Sequence, residues 1–224
     1  MAAIDIWGQM PTERMASSHW MESLLRWTGR SGKLLTPTVD ETVKAMDDGG
    51  VDIMFLSAWH GPAGSLVSNE EMLDCVEAAP DRFRGLMTAD LSRPMEAVRE
   101  IRDLAQHEGV VGVRIVPWLW NLPPNDRLYY PIFTACVDAG LPFCTQIGHT
   151  GPLLRSETGR PIPYLEDVLL DFPELKIVGG HLGFPWVNEL ATLAFKFPNF
   201  YVDTSAYATH RLPHEFVQFM KGAG

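Results

Sequence analysis

The chain has 224 residues, of which 46% are hydrophobic and 21% are charged, and its formal net charge is −10. This composition is typical of a globular protein that is long enough to bury a sizeable core. The negative charge is spread along the chain without any basic cluster, which argues against nucleic acid as a partner.

The sequence carries no signal for membrane insertion or export. It contains no run of about 18 apolar residues, and its N-terminal stretch MAAIDIWGQMPTER lacks the basic start and apolar centre of a signal peptide. The three cysteines, Cys75, Cys136 and Cys144, form no CxxC pair and are expected to be small buried residues rather than disulfides or zinc ligands. We therefore expect a cytoplasmic protein without a membrane partner.

Short apolar runs alternate along the chain with longer amphipathic segments. Each apolar run has about four to six residues and is apolar nearly throughout, as expected for parallel strands that are covered on both faces. The predicted strands, in chain order, are Ala3–Trp7, Val51–Leu56, Phe83–Thr88, Val111–Val116, Pro142–Thr145, Leu175–Gly179 and Phe200–Asp203.

The segments between these strands carry helix signals. Thr38 followed by Glu41 is a capping-box pattern, Ser68 begins a second one, and Pro94 suits a first helical turn. The predicted helices are Thr38–Asp48, Asn69–Ala79, Pro94–His107, Tyr130–Ala139, Ile162–Asp171, Pro185–Lys196 and Pro213–Met220.

Seven successive βα units imply a parallel sheet, either open and doubly wound or closed into a barrel. No G-x-G-x-x-G turn follows the first strand, which disfavours the dinucleotide-binding form of the open sheet. In a (β/α)8 barrel, polar residues that follow the strands converge on one mouth. The sequence has such residues at Gln9, His60, Asp90, Arg114, Gln146, His149, His181 and Asp203. We therefore predict a single α/β domain over residues 1–224, a TIM (β/α)8-type barrel.

The predicted barrel is one strand short. The residues Met220-Lys221-Gly222-Ala223-Gly224 fall where an eighth strand is expected to start, and such barrels usually run to about 250 residues. An incomplete barrel exposes two sheet edges that another chain, the N-terminal excursion or further residues must cover. A homodimer, or pairing with a related subunit, is the expected assembly.

Three stretches resemble the amidohydrolase-related family, in the branch that contains aminocarboxymuconate-semialdehyde decarboxylase. They are GVVGVRIVPWLWNLPPNDRLYYPIFTACVDAGLPFCTQIGHTGP, FPELKIVGGHLGFPWVNEL and FPNFYVDTSAY. The resemblance implies a TIM-barrel hydrolase or decarboxylase that holds a divalent metal ion, often zinc. The ligands it implies are an H-x-H pair ending the first strand, a histidine ending the fifth and an aspartate ending the eighth. The histidine after the sixth strand is implied to act as an acid or base.

This sequence departs from that ligand pattern. Trp7 and Gln9 stand where the first strand should supply two histidines, and Gln146 stands where the fifth should supply one. Tryptophan offers a metal no lone pair, and a glutamine carbonyl is a weak neutral ligand. A zinc site normally needs three good protein ligands. The remaining candidates are His149 and His181, with Asp203 as a third option, and the eighth-strand aspartate has no counterpart.

Three residues are the candidates for catalysis. His181 ends an apolar strand after two glycines, where its near-neutral pKa suits proton transfer or metal ligation. Arg114 interrupts an apolar strand, so it is expected to bind a substrate carboxylate or to pair with an internal acid. Asp203 is expected to orient His181, to accept a hydrogen bond from the substrate or to cap the next helix.

Four further residues are candidates for the pocket. His60 and Gln146 follow strands and are predicted to bind substrate. Trp118 either forms an aromatic wall for a planar substrate or fills the core. His149, which precedes Thr-Gly-Pro, either enters the pocket or caps its loop.

Two functions are consistent with these residues. The first is a hydrolase or non-oxidative decarboxylase of a small carboxylate- or amide-containing substrate, with an atypical site for a divalent metal ion, zinc being the expected one. The alternative is a non-catalytic barrel that supports an intact partner subunit.

Overall fold

Seven parallel strands form one sheet. The computed structural model describes residues 2–27, 29 and 34–222. The strands of this sheet are β1 Ile4–Gly8, β2 Ile53–Ser57, β5 Phe83–Met87, β6 Val110–Ile115, β7 Phe143–Gln146, β8 Ile177–Gly180 and β9 Phe200–Val202. Their order in the sheet is β1-β2-β5-β6-β7-β8-β9. All seven predicted strands are confirmed to within two residues at each end. An antiparallel hairpin after β2, made of β3 (Trp59–Gly61) and β4 (Gly64–Val67), was not predicted.

Helices join the strands. They are α1 Glu13–Ala16, α2 Met21–Trp27, α3 Val39–Gly49, α4 Asn69–Ala78, α5 Pro94–Leu104, α6 Pro117–Trp120, α7 Tyr130–Ala139, α8 Glu166–Asp171, α9 Val187–Lys196 and α10 His214–Gly222. The short helices α1, α2 and α6 were not predicted, and the other seven lie at the predicted places. Both predicted capping boxes form, with Thr38 Oγ1 accepting from Glu41 N at 3.2 Å and Ser68 Oγ accepting from Glu71 N at 3.0 Å. Within the described ranges, no helix is both long and apolar enough to cross a membrane.

Two predicted helices begin later than expected. A π-helix over Pro161–Leu165 precedes α8, and a short 3₁₀ turn over His181–Gly183 comes before α9. The predicted helix Ile162–Asp171 ran back through the π-helix, because the apolar periodicity continues there. The predicted helix Pro185–Lys196 starts after the 3₁₀ turn and two residues before α9.

The sheet curls into a barrel that lacks one strand, as predicted. Arg114 of β6 donates a hydrogen bond to the backbone oxygen of Ile6 in β1 at 2.9 Å, although two strands separate β1 from β6 in the sheet order. The edge strands β1 and β9 face each other across an open groove lined by Ala3, Ile4, Asp5, Ile6, Val202, Asp203, Thr204 and Ser205. The sequence predicts the start of an eighth strand at residues 220–224, but Met220, Lys221 and Gly222 belong to α10, and residues 223–224 lie outside the described residues.

Side-chain alternation along the strands decides what enters the barrel. Val113, Phe143 and Ile177 are in register on adjacent strands and are fully buried. Phe143 packs edge-on against Phe133 of α7, with ring centroids 4.8 Å apart, so this row faces the helices. Because successive residues point to opposite faces of a strand, Arg114 faces the barrel interior. The barrel therefore carries a cation below its mouth.

Candidate active site

A cavity of about 560 Å³ opens at the carboxyl ends of the parallel strands. Four of its lining groups are polar residues from different strand ends or loops, namely Gln9, Gln146, His149 and His181. Gln9, the segment from Gln146 to His149, and His181 are far apart in sequence, and only the curling of the sheet brings them to one rim. The structure thus places these polar side chains at the carboxyl-terminal mouth, where the barrel prediction expected them.

Aromatic side chains form most of one wall of this cavity. Trp20, Trp59 and Trp118 all line it and contact one another, with the Trp20 and Trp118 centroids 5.1 Å apart and the Trp59 and Trp118 centroids 5.9 Å apart. Trp118 is 8% exposed, so it both lines the cavity and belongs to a small core cluster. A wall of this kind favours flat, partly apolar ligands.

His181 lies at the cavity in an unusual backbone conformation. Its φ is +69°, and the next residue, Leu182, has a φ of +60°. The left-handed region is costly for residues with a Cβ, and such strain tends to collect at functional sites. Ala206, which also lines the cavity, has a φ of +66°. Three of the four described non-glycine residues with positive φ are therefore at this site.

Two contacts fix the His181 ring. Its Nδ1 lies 2.9 Å from the Oγ of Ser205, and its centroid lies 4.1 Å from the ring of Trp7. Burial, together with the positive charge of Arg114 and the nearby His149, lowers the pKa of His181 to about 4. At neutral pH the imidazole is therefore uncharged. Nδ1 is engaged by Ser205, which leaves Nε2 to exchange a proton with a ligand.

Arg114 lies beneath the cavity rather than in its lining. The side chain is 1% exposed, and its guanidinium donates hydrogen bonds to Ser57 Oγ and to the backbone oxygen of Ile6. The ring of Trp7 covers the guanidinium, whose central carbon is 3.7 Å from the ring centroid. The direct contacts are an aromatic face, a hydroxyl and a backbone carbonyl. Of the two partners that the sequence offered, the internal acid has support, because the charges of Asp203 and Asp5 favour the protonated guanidinium.

Asp203 supports the loop that holds Ser205. Its Oδ1 accepts a hydrogen bond from Ser205 N at 2.6 Å, and its backbone oxygen accepts from Leu182 N at 3.1 Å. Its Oδ2 is buried, without a hydrogen-bond partner among the residues described. Asp203 thus acts on His181 through Ser205, and it borders the groove between β1 and β9 rather than the cavity.

Gln146 and His149 occupy one side of the cavity together. Gln146 Nε2 donates to the backbone oxygen of His149 at 2.8 Å, so this amide holds the loop in place. His149 Nδ1 lies 3.3 Å from the backbone oxygen of Phe184, and its ring packs edge-on against the ring of Phe184. Both side chains line the cavity, and the substrate contact predicted for Gln146 stays a prediction.

His60 lies apart from the cavity. Its Nε2 is 3.6 Å from Asp90 Oδ2, and its ring stacks on Trp120 with a centroid distance of 6.0 Å. It belongs to the unpredicted hairpin, in β3. The predicted substrate-binding role for His60 therefore has no support from its position.

Several cavity residues escaped the sequence analysis. Ser205, Trp20, Trp59 and Tyr207 all line the cavity, yet none was singled out as a pocket residue. Ser205 follows Asp203 by two positions, where a pair of hydroxyl residues suggested a helix cap. Trp20 lies in the N-terminal excursion, for which the sequence indicates no position relative to the barrel.

The cavity residues do not fit a divalent metal ion. Trp7 offers no donor atom, the Gln146 amide donates to backbone, and Gln9 supplies only a neutral amide oxygen. Over the described part of the chain, no group of three or more His, Cys, Asp or Glu side chains is arranged to hold an ion. The predicted pair His149 and His181 shares the cavity, but two imidazoles fall short of the usual three protein ligands.

Comparisons with known proteins agree with the fold. A family model described as amidohydrolase matches residues 23–220, and no curated protein matches the chain. An uncharacterized TIM-barrel protein from Bordetella bronchiseptica is 24% identical with a TM-score of 0.79, covering 97% of this chain and 80% of its own. The 2,6-dihydroxybenzoate decarboxylase from Rhizobium is 16% identical with a TM-score of 0.68, at 100% and 85% coverage.

A third similar structure contains a metal ion. It is the 5-carboxyvanillate decarboxylase of Novosphingobium aromaticivorans, complexed with manganese and 4-hydroxy-3-methoxy-5-nitrobenzoic acid. It is 19% identical, with a TM-score of 0.61, and the match covers 87% of this chain and 68% of that one. At these identities the likeness concerns the fold.

Proposed function

This chain belongs to the amidohydrolase family, and on that premise we propose that it is an enzyme, a hydrolase of a small, planar substrate that carries a carboxylate or an amide. The observation that carries the proposal is the position of His181, whose ring is clamped between Ser205 and Trp7 at an aromatic-walled cavity. The cavity volume of about 560 Å³ is in the range of small-molecule sites.

The chain's own residues divide the work as follows. The tryptophan wall packs against the flat face of the substrate and excludes water from it. Ser205 Oγ holds the imidazole at Nδ1 and so orients Nε2. Nε2 accepts a proton from the attacking water as the new carbon–oxygen bond forms. It then returns this proton to the leaving group as the bond between the carbon and that group breaks. No step is assigned to a metal ion, because the donor set does not fit one.

The protonation state of His181 favours hydrolysis over decarboxylation. A neutral imidazole is ready to accept a proton, as a general base for water must. Loss of CO2 instead requires a proton for the carbon that loses the carboxylate. An imidazolium with a pKa of about 4 is scarce at neutral pH. Decarboxylation is nevertheless the second candidate, because two similar structures are those of aromatic acid decarboxylases.

A substrate screen with matched variants tests the proposal. Purified protein is incubated with aromatic and conjugated carboxylic acids, their amides and their lactones, and products are separated by mass spectrometry. We expect a hydrolysis product that disappears in His181→Ala and persists in His210→Ala, since His210 is exposed and outside the cavity. Turnover that survives His181→Ala contradicts the proposal. Release of CO2 identifies the second candidate, and no turnover together with a copurifying related subunit supports a non-catalytic barrel.

Association is part of the proposal as well. A homodimer, or a pair with a related subunit, would cover the exposed edges of β1 and β9, which otherwise offer unpaired backbone groups to other strands. Light scattering coupled to size-exclusion chromatography measures the mass directly, and a monomer at micromolar concentration would contradict this part.

A further inference from the structure

The family resemblance implies a bound metal ion, but the residues around the cavity do not fit one. The packing of Trp7 shows why. Trp7, at the first of the implied ligand positions, contacts two groups that would themselves face a bound ion. Its ring centroid lies 3.7 Å from the guanidinium carbon of Arg114 and 4.1 Å from the ring centroid of His181, with the two rings tilted by 50°. Trp7 therefore links Arg114 to His181 at the base of the cavity.

The backbone is shaped for these contacts. A Cβ placed on Gly180, the residue before His181, would lie 2.2 Å from Cζ3 of Trp7. Only a glycine therefore allows the indole to lie where it does. Trp7 N also donates to Asp5 Oδ1 at 2.9 Å, which fixes the end of β1. The backbone on both sides of the indole is therefore suited to a tryptophan at this position.

Arg114 places a permanent positive charge close to this site. A guanidinium keeps its proton under all ordinary conditions, and this one bridges β6, β2 and β1 through Ser57 and Ile6. The stacking distances limit the guanidinium carbon to about 8 Å from the His181 ring, a range at which charges still interact strongly where water is excluded. A divalent cation bound by His181 would be repelled.

The nearby acids are partly engaged. Asp203 Oδ1 accepts from Ser205 N and Asp5 Oδ1 accepts from Trp7 N, and both carboxylates lie close enough to Arg114 for their charges to favour its protonated form. Asp203 Oδ2 has no hydrogen-bond partner among the described residues, but these acids and the cavity histidines are not arranged as a group of three that could hold an ion. Gln146 is likewise occupied, through its hydrogen bond to the backbone of His149.

We propose that this site holds no divalent metal ion, and that the guanidinium of Arg114, stacked beneath Trp7, is its fixed positive charge. This proposal concerns ion binding, and its tests are independent of the hydrolytic reaction proposed above.

The first test measures metal in the wild-type chain. Protein is produced in medium supplemented with manganese and zinc, desalted, and analysed by inductively coupled plasma mass spectrometry. We expect less than about 0.1 ion per chain, where a filled site gives about one. We also expect isothermal titration calorimetry with Mn²⁺ or Zn²⁺ to show no heat that differs between wild type and His149→Ala. A stoichiometric ion that is lost in His149→Ala and kept in the exposed control His210→Ala overturns the proposal.

The second test restores donors with and without the cation. Trp7→His/Gln9→His places imidazoles at both first-strand positions, and the triple variant adds Arg114→Met. We expect the triple variant to bind Zn²⁺ at least about tenfold more tightly than the double variant, because the repulsive charge is gone. Equal affinities overturn the role given to Arg114. If circular dichroism shows that the triple variant is unfolded, Arg114→Gln replaces Arg114→Met, since its amide removes the charge and keeps a hydrogen-bond donor.

Discussion

The indole of Trp7 lies over the guanidinium of Arg114 at 3.7 Å, although 107 positions separate the two residues in the sequence. The contact joins β1 to β6 across the interior of the barrel. It also positions the face of Trp7 that His181 packs against. Both the stability of the barrel and the position of the candidate proton acceptor therefore depend on one aromatic ring.

Replacement of Trp7 by alanine should destabilise the protein by about 3 kcal/mol, because it removes a large packed ring and leaves a buried cation without its aromatic cover. Urea unfolding followed by circular dichroism measures the change. Trp7→Phe keeps a ring over the guanidinium and should cost only about 1 kcal/mol. Equal losses for the two variants would show that stacking on Arg114 contributes nothing.

Replacement of Gly180 by alanine should also destabilise the protein, by about 2 kcal/mol, because the new methyl group would lie 2.2 Å from the Trp7 ring. The matched control is Gly49→Ala at the end of α3. There the nearest atom to the new Cβ is 4.0 Å away, and alanine should stabilise by about 0.5 kcal/mol. Thermal unfolding of both variants checks the pair, and a Gly180→Ala protein as stable as wild type would contradict the close packing of Trp7 on Gly180.

The protein should become less stable as the pH is lowered from the unfolded-state pKa of His181 to its folded-state pKa. The folded pKa is lowered to about 4 from an unfolded value of 6.5. Above pH 6.5 the ring is neutral in both states, and below it the unfolded chain takes up a proton that the folded protein resists. The contribution, at most about 3 kcal/mol, is therefore present at neutral pH and is lost as pH falls toward 4.

Urea unfolding at several pH values between 4 and 7 measures this dependence. His181→Asn should flatten the curve in that window, because asparagine does not titrate. His210→Asn, at an exposed position, should leave the curve unchanged. Parallel curves for wild type and His181→Asn would show that burial does not perturb this histidine.

Replacement of Ser205 by alanine should reduce turnover by about 10- to 100-fold with little change in KM, because the imidazole loses the group that orients it. The measurement requires the substrate from the screen described above. Ser205→Thr keeps the hydroxyl and should retain most of the activity. A large rise in KM at constant kcat would instead assign Ser205 to substrate binding.

The strands and most helices of this protein were predictable because their signals are local. Short, mostly apolar runs located all seven strands of the sheet, and the patterns at Thr38 and Ser68 located two helix starts through hydrogen bonds between residues three positions apart. The hairpin β3–β4 escaped prediction because its strands have only three and four residues, with glycine and proline in and between them.

The candidate site was predictable only in part. Positions after the strands brought His181, His149 and Gln146 into one group, and the structure places all three at the cavity. The same reasoning predicted that His60 and Arg114 line the pocket. His60 instead lies in the hairpin beside Asp90, and the ring of Trp7 covers Arg114. A rule based on strand ends gives the rim of a barrel, but it does not say which side chains reach the opening.

The sequence by itself determined the seven strands of the sheet, most of the longer helices, the parallel barrel and the loss of the usual metal-ligand residues at Trp7, Gln9 and Gln146, because each of these is expressed in the order and type of neighbouring residues. Only the tertiary structure decided that Trp7 contacts both Arg114 and His181, and that Ser205 holds the imidazole. Those contacts join residues from different strands and loops, and they exist only once the sheet has curled.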